Sequence, residues 1–127
     1  MPYTHSINTE SNLIVVKSYG RITDADTAIL RKNVESDPKF NRGMDKIVDL
    51  SGAAQYELTM AFIEDFAKNP ILNSTSTIVV IAPSDVAFGT SRAFSVFSGD
   101  ASKNIHVCRS HSEAGKILDL SNSFDYS

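Results

Sequence analysis

Hydrophobic positions along the chain fall into two alternating rhythms, short β-branched runs and stretches with apolar residues at helical spacing. Thr4 to Asn8 predicts a weak first strand, and polar Thr9-Glu10-Ser11-Asn12 has the length of a hairpin turn. Leu13 to Tyr19 predicts the second strand, opened by the β-branched run Ile14-Val15-Val16. Gly20 breaks it. Thr23 then reads as an N-cap, with Asp24 and Asp26 placed to favour the positive end of a helix dipole. Ala25, Ile29, Leu30 and Val34 give that helix an apolar side, and Asp37-Pro38 follows it because the residue before proline avoids the helical region. Lys46 to Leu50 predicts a third strand that opens into Ser51-Gly52. A second helix starts near Thr59, with Phe62, Ile63, Phe66 and Ala67 on one face and Glu64, Asp65 and Lys68 opposite.

Thr77 to Ala82 does not alternate. Both its faces should therefore be covered, as in the interior of a parallel sheet. Ser84 caps a third helix to about Ser98, and Gly99 ends it. Ile105 to Arg109 is a fifth strand. Ser110 and Glu113 form a capping box for a last helix with Ala114, Ile117 and Leu118 as its buried stripe. The order is ββαβαβαβα: an α/β fold with a five-stranded, mostly parallel sheet, an initial antiparallel hairpin and four helices. It reads as one domain over 1–120 with a polar tail over 121–127, in which Phe124 and Tyr126 are the apolar exceptions.

Charge and composition narrow the function. The chain has 127 residues and a net charge of −3, with its basic residues scattered singly. That argues against nucleic acid, which calls for a basic stripe. Arg31 and Lys32 are the densest basic pair, and read as a solvated helix face beside Asp26 and Glu35. The single cysteine, Cys108, permits no intrachain disulfide and fits a reducing compartment. Met1 to His5 lacks the pattern of a signal peptide, and the longest apolar run, Ile78 to Pro83, is far too short to cross a membrane. The expected location is the cytoplasm.

None of the nucleophile-elbow, phosphate-loop, dinucleotide or zinc-protease motifs occurs, so the chain reads as non-enzymatic, with no cofactor. His106, Cys108 and His111 have the spacing of soft metal ligands, but Cys108 reads more simply as a small buried hydrophobe. Asp49 and Asp85 lie near strand ends where they could meet above the sheet; a loop-bonding role and a first-turn helix role are preferred. On the third helix, Val86, Thr90, Ala93, Phe94 and Phe97 form the expected core face. Phe88 and Arg92 fall opposite and adjacent, the composition of an interface hot spot. Ser51 and Thr59 flank the loop after the third strand, and Thr59 is expected to be an N-cap.

Several segments carry a family likeness. They are Gly20-Arg21-Ile22-Thr23-Asp24, Asp37-Pro38-Lys39-Phe40, Ile47-Val48-Asp49-Leu50-Ser51, Val86-Ala87-Phe88-Gly89-Thr90-Ser91-Arg92-Ala93-Phe94 and Val107-Cys108-Arg109-Ser110-His111-Ser112-Glu113-Ala114. With the strand and helix order, they resemble the STAS fold of bacterial anti-sigma-factor antagonists. More closely they resemble its SpoIIAA-like branch, in a superfamily that also holds SEC14-type lipid-binding domains. The resemblance implies a small homodimer without catalysis, acting on a regulatory protein partner, or alternatively a carrier or sensor of an apolar ligand such as a lipid. Antagonists carry a D-S-S-G-type motif whose serine is phosphorylated. Here that stretch reads Glu57-Leu58-Thr59-Met60, so Thr59 alone occupies the phospho-acceptor-equivalent position, and the glycine is missing. The resemblance thus supports the fold more than it supports control by phosphorylation.

Overall fold

The computed structural model describes residues 2–118. A hairpin opens the chain. Strand β1 (Tyr3–Asn8) pairs antiparallel with β2 (Leu13–Ser18), and Asn12 takes a left-handed conformation in the turn between them. Gly20 follows β2 with φ +67°, a region glycine enters at no steric cost. The chain does not stop there, as its residues suggest. It restarts at once as β3 (Gly20–Thr23). Thr23 is both the last residue of β3 and the N-cap of α1 (Asp24–Glu35): Asp26 N–H donates to its hydroxyl, and the Asp26 carboxylate accepts from its backbone N–H.

Strand β4 (Asp45–Asp49) returns beside β2. A further strand, β5 (Ala53–Glu57), pairs in parallel with β3 as a separate two-stranded sheet. Helix α2 (Met60–Lys68), β6 (Ile78–Ile81), α3 (Asp85–Phe97), a 3-10 helix (Gly99–Asn104), β7 (Ile105–Cys108) and α4 (His111–Leu118) complete the chain. The main sheet has the order β1-β2-β4-β6-β7 and is parallel except at the first pair. The five-stranded mixed sheet and the four α-helices therefore match the expectation, and β3 and β5 are additions to it. None of the described helices is long and apolar enough to cross a membrane.

Side-chain alternation splits the core between the faces of the sheet. Ile14 and Val16 of β2 and Val80 of β6 face one layer with Val34 of α1 and Ala87 of α3. Ile47, Val79, Ile81 and Cys108 face the other, under Ala114 of α4. β6 is buried on both faces, as its unbroken apolar run requires.

Two helix faces differ from expectation. On α3 the fully buried positions are Ala87 and Ser91; Thr90 and Phe94 of the expected face also point inward, while Val86 is 61% exposed. The face is turned because Ser91, a polar residue that hydrophobic spacing does not count, points inward. On α4, Ala114 is buried against the sheet, while Ile117 is exposed. The side chain of Leu118 and the 121–127 tail, with Phe124 and Tyr126, lie outside the described residues.

Candidate functional site

The alternation that buries Ile47 under α4 sends its neighbours Lys46 and Val48 to the opposite face, toward α1, α2 and α3. A lysine is thereby placed among apolar side chains. Lys46 borders a cavity of about 80 Å³ walled by Leu30, Val48, Leu50, Ile63, Phe66 and Phe94, among others. A second cavity of about 70 Å³ adjoins it and shares Lys46, Phe66, Ile78 and Phe94. The Lys46 ammonium donates no hydrogen bond to another described residue. Burial, with the like charge of Arg31 nearby, lowers its pKa to about 8.

Arg31 is the second cation of this region. It lines the second cavity, and its guanidinium lies 3.5 Å from the centroid of the Phe66 ring. Its terminal nitrogens donate to the carbonyls of Phe66 and Asn69, at the carbonyl-rich end of α2, where a cation is favoured. Its Nε–H is buried and has no hydrogen-bond partner; among the described residues no other buried side-chain nitrogen or oxygen is left so. Burial depresses the Arg31 pKa, against the attraction of Glu35 and Asp65. Neither Lys46 nor Arg31 is ion-paired with a carboxylate among the described residues. The reading of Arg31 as part of a solvated face is corrected: α1 aims Arg31 under α2, and only Lys32 stays exposed.

Hydroxyls complete the wall. Tyr3, Thr27, Tyr56, Thr90 and Ser91 all border the first cavity. The Tyr3 hydroxyl lies 3.2 Å from that of Thr27, and burial raises the pKa of both tyrosines, so they stay neutral donors. The whole is an apolar chamber with neutral hydroxyls and a cation on its lining, suited to binding a small molecule and to orienting it.

A second cluster sits at the carboxyl end of the sheet, where open α/β sheets commonly place ligands. Asp49 accepts from the Ser51 hydroxyl at 2.6 Å and from the Ser51 amide at 2.9 Å, and lies 3.2 Å from His111 Nε2. Burial pushes the Asp49 carboxyl up, but the Ser51 bonds and His111 outweigh it and hold the carboxyl below its ordinary range. Asp49 and Asp85 do not act as a pair: Asp85 binds Arg109 instead. In this arrangement the carboxylate stands between serine and histidine. It anchors a turn rather than activating the hydroxyl, since the order needed for activation is serine, histidine, carboxylate.

The residues singled out from the sequence are dispersed. Ser51 closes the Asp49 turn. Phe88 packs half-buried against the core, and its ring is covered by Arg109, whose guanidinium is 4.1 Å from the centroid. The outward Phe88–Arg92 pair is therefore corrected: Arg109, the residue after β7, lies over Phe88, while Arg92, one turn along α3, is exposed. Cys108 lies in the core layer under α4 with its thiol toward the Val80 carbonyl. No group of three or more His, Cys, Asp and Glu side chains among the described residues is placed to hold a metal.

Thr59 caps α2, accepting from Phe62 N–H. Its own amide and hydroxyl both donate to the Asp24 carboxylate, at 2.9 and 2.8 Å. That tie joins the starts of α1 and α2. Thr59→Ala is expected to lower stability by about 1 kcal/mol, the usual cost of an N-cap. Thr59→Glu should cost more, because it sets a second negative charge against Asp24. Urea unfolding of both variants checks this, and a glutamate variant as stable as the natural chain would contradict it.

Neither Lys46 nor Arg31 stands out in the sequence as a site residue, though the signal for Lys46 is present: a lysine opening the run Ile47-Val48 in an interior strand has one sheet face or the other to point into. No family model matches the chain, and no curated protein matches it.

Proposed function

We propose that the chain is a non-enzymatic binding module, built on a STAS-like frame, that carries or senses a small and mainly apolar molecule in the chamber beneath α2 and α3. The observation that carries this reading is the pair of adjoining cavities of about 80 and 70 Å³ on one side of the sheet, sharing Lys46, Phe66, Ile78 and Phe94. Their size suits a ligand of ring or short-chain dimensions; an engineered apolar cavity of about 150 Å³ takes up benzene. The lining combines aromatic and aliphatic walls with a few polar groups, the usual make-up of a small-molecule site.

Self-association is the second reading. It is supported by Val86 and Val96, 61% and 73% exposed on the outer side of α3. Native mass spectrometry of gently purified protein tests both. The expected spectrum shows the chain with an added small-molecule mass that organic extraction removes. A bare chain mass that does not change on adding small apolar compounds would contradict the carrier reading. A monomer mass at micromolar concentration would contradict self-association.

A further inference from the structure

A chamber meant only for hydrocarbon has no use for a cation on its wall. Lys46 projects from the middle of the sheet into the apolar layer, borders both cavities, and has no carboxylate partner among the described residues. Arg31 adds a second positive charge on the wall of the second cavity, with its Nε–H buried and unsatisfied. Two like charges in one apolar region repel each other, and each forfeits hydration. The compensation such a region ordinarily has is an anion, which none of the described residues supplies. The neighbouring groups are suited to it: Tyr3, Thr27, Tyr56, Thr90 and Ser91 offer neutral hydroxyls around the first cavity, and none of the described acidic side chains borders either cavity.

We infer that the ligand of this chamber is a small monocarboxylate with an apolar tail, its carboxylate held by Lys46 beside Arg31 and its tail among Leu30, Ile63, Phe66 and Phe94. This rests on the chamber being the binding site. A carboxylate suits the place better than a phosphate, because a single charge with two acceptor oxygens loses less hydration on entering so apolar a space. The cavity volumes favour a short chain over a membrane-lipid acyl chain.

Hexanoate, hexanol and hexylamine share a tail and differ in head charge. Calorimetric titration of the full chain with each, at neutral pH, separates tail from head. Hexanoate is expected to bind about tenfold more tightly than hexanol, the effect of one charge-assisted hydrogen bond, with hexylamine weakest. In Lys46→Met the preference for hexanoate over hexanol should vanish while hexanol binding persists. Lys46→Gln, which keeps a polar head, serves as the second variant and should lose the preference likewise. Equal affinity of the natural chain for hexanoate and hexanol, or a preference that survives both substitutions, overturns the carboxylate inference and leaves the chamber as a site. Failure of all three compounds to bind overturns the chamber reading together with it.

Discussion

Lys46→Met is expected to make the protein more stable at neutral pH, by on the order of 2–3 kcal/mol, and to flatten its stability between about pH 8 and pH 10. The ammonium of Lys46 has a pKa of about 8 in the fold against 10.5 for an ordinary lysine. Between those values the unfolded chain binds the proton that the folded chain has released. Stability therefore rises with pH across that window, by about 3 kcal/mol for the whole shift. Below pH 8 both states carry the proton, so the contribution is constant, and the fold bears the full cost of a desolvated charge. Methionine has nearly the same length, no charge, and packs well in irregular apolar space. Cys108, Tyr3 and Tyr56 hold their protons more tightly when folded, because burial raises their pKa values. They lower stability at high pH, but equally in both proteins, so the difference between natural chain and variant isolates Lys46. Denaturant unfolding at pH 7 and pH 10 makes the comparison. A variant no more stable than the natural chain at pH 7, with the same difference at pH 10, would contradict this account.

Gly52→Ala is expected to destabilise by about 3 kcal/mol, or roughly 10 °C in melting temperature. A Cβ on Gly52 would fall inside the contact distance of the Ser18 carbonyl oxygen, and main chain cannot swing aside as a flexible side chain can. The crossing is also pinned on both sides. Gly20 N–H donates to the Gly52 carbonyl at 3.0 Å, and the buried Ser18 hydroxyl donates to the Asp49 carbonyl at 3.1 Å. This contact sets β5 against β3, starting at Gly20 opposite Ala53. β5 and the residue after it carry Tyr56 and Leu58 to the cavity, so the variant should also weaken ligand uptake. Thermal unfolding reads the first effect, and a melting temperature unchanged by the substitution would contradict it. The same clash is absent at Gly89, where a Cβ meets nothing within 4 Å, so Gly89→Ala is the control.

The main sheet was legible because its signals are local and redundant. β6 is a continuous apolar run between a polar loop and a serine cap. Thr23, Thr59 and Ser84 all cap helices as their positions imply. β3 and β5 left no such trace: in Gly20-Arg21-Ile22-Thr23 and Ala53-Ala54-Gln55-Tyr56-Glu57 only Ile22 is fully buried, Ala53 and Tyr56 are half-buried, and their pairing links segments some thirty positions apart. Periodicity reports burial, and a strand pair with a single fully buried residue gives it little to report.

The site was less legible for a related reason. Hydrophobic patterning treats a charged residue as a marker of surface, and here Lys46 and Arg31 are the exceptions that define the chamber. Arg31 reads as surface because its partners, Phe66 and Asn69, lie on another helix and are brought to it only by packing. The same holds for Phe88, whose cover is Arg109, just beyond β7, rather than Arg92 one turn along. Residues a turn apart on a helix are visible to spacing, and partners supplied by a distant element are not.

Methyl-resolved NMR tests most directly whether the chamber binds a ligand. Hexanoate would be titrated into protein labelled at its isoleucine, leucine and valine methyl groups. The account predicts saturable shifts at Leu30, Val48, Leu50, Ile63, Ile78 and Val80, which line the first cavity, with Val86 and Val96 on the outside of α3 unmoved. Shifts confined to the surface valines, or no saturable shift at any of these methyls, would contradict it.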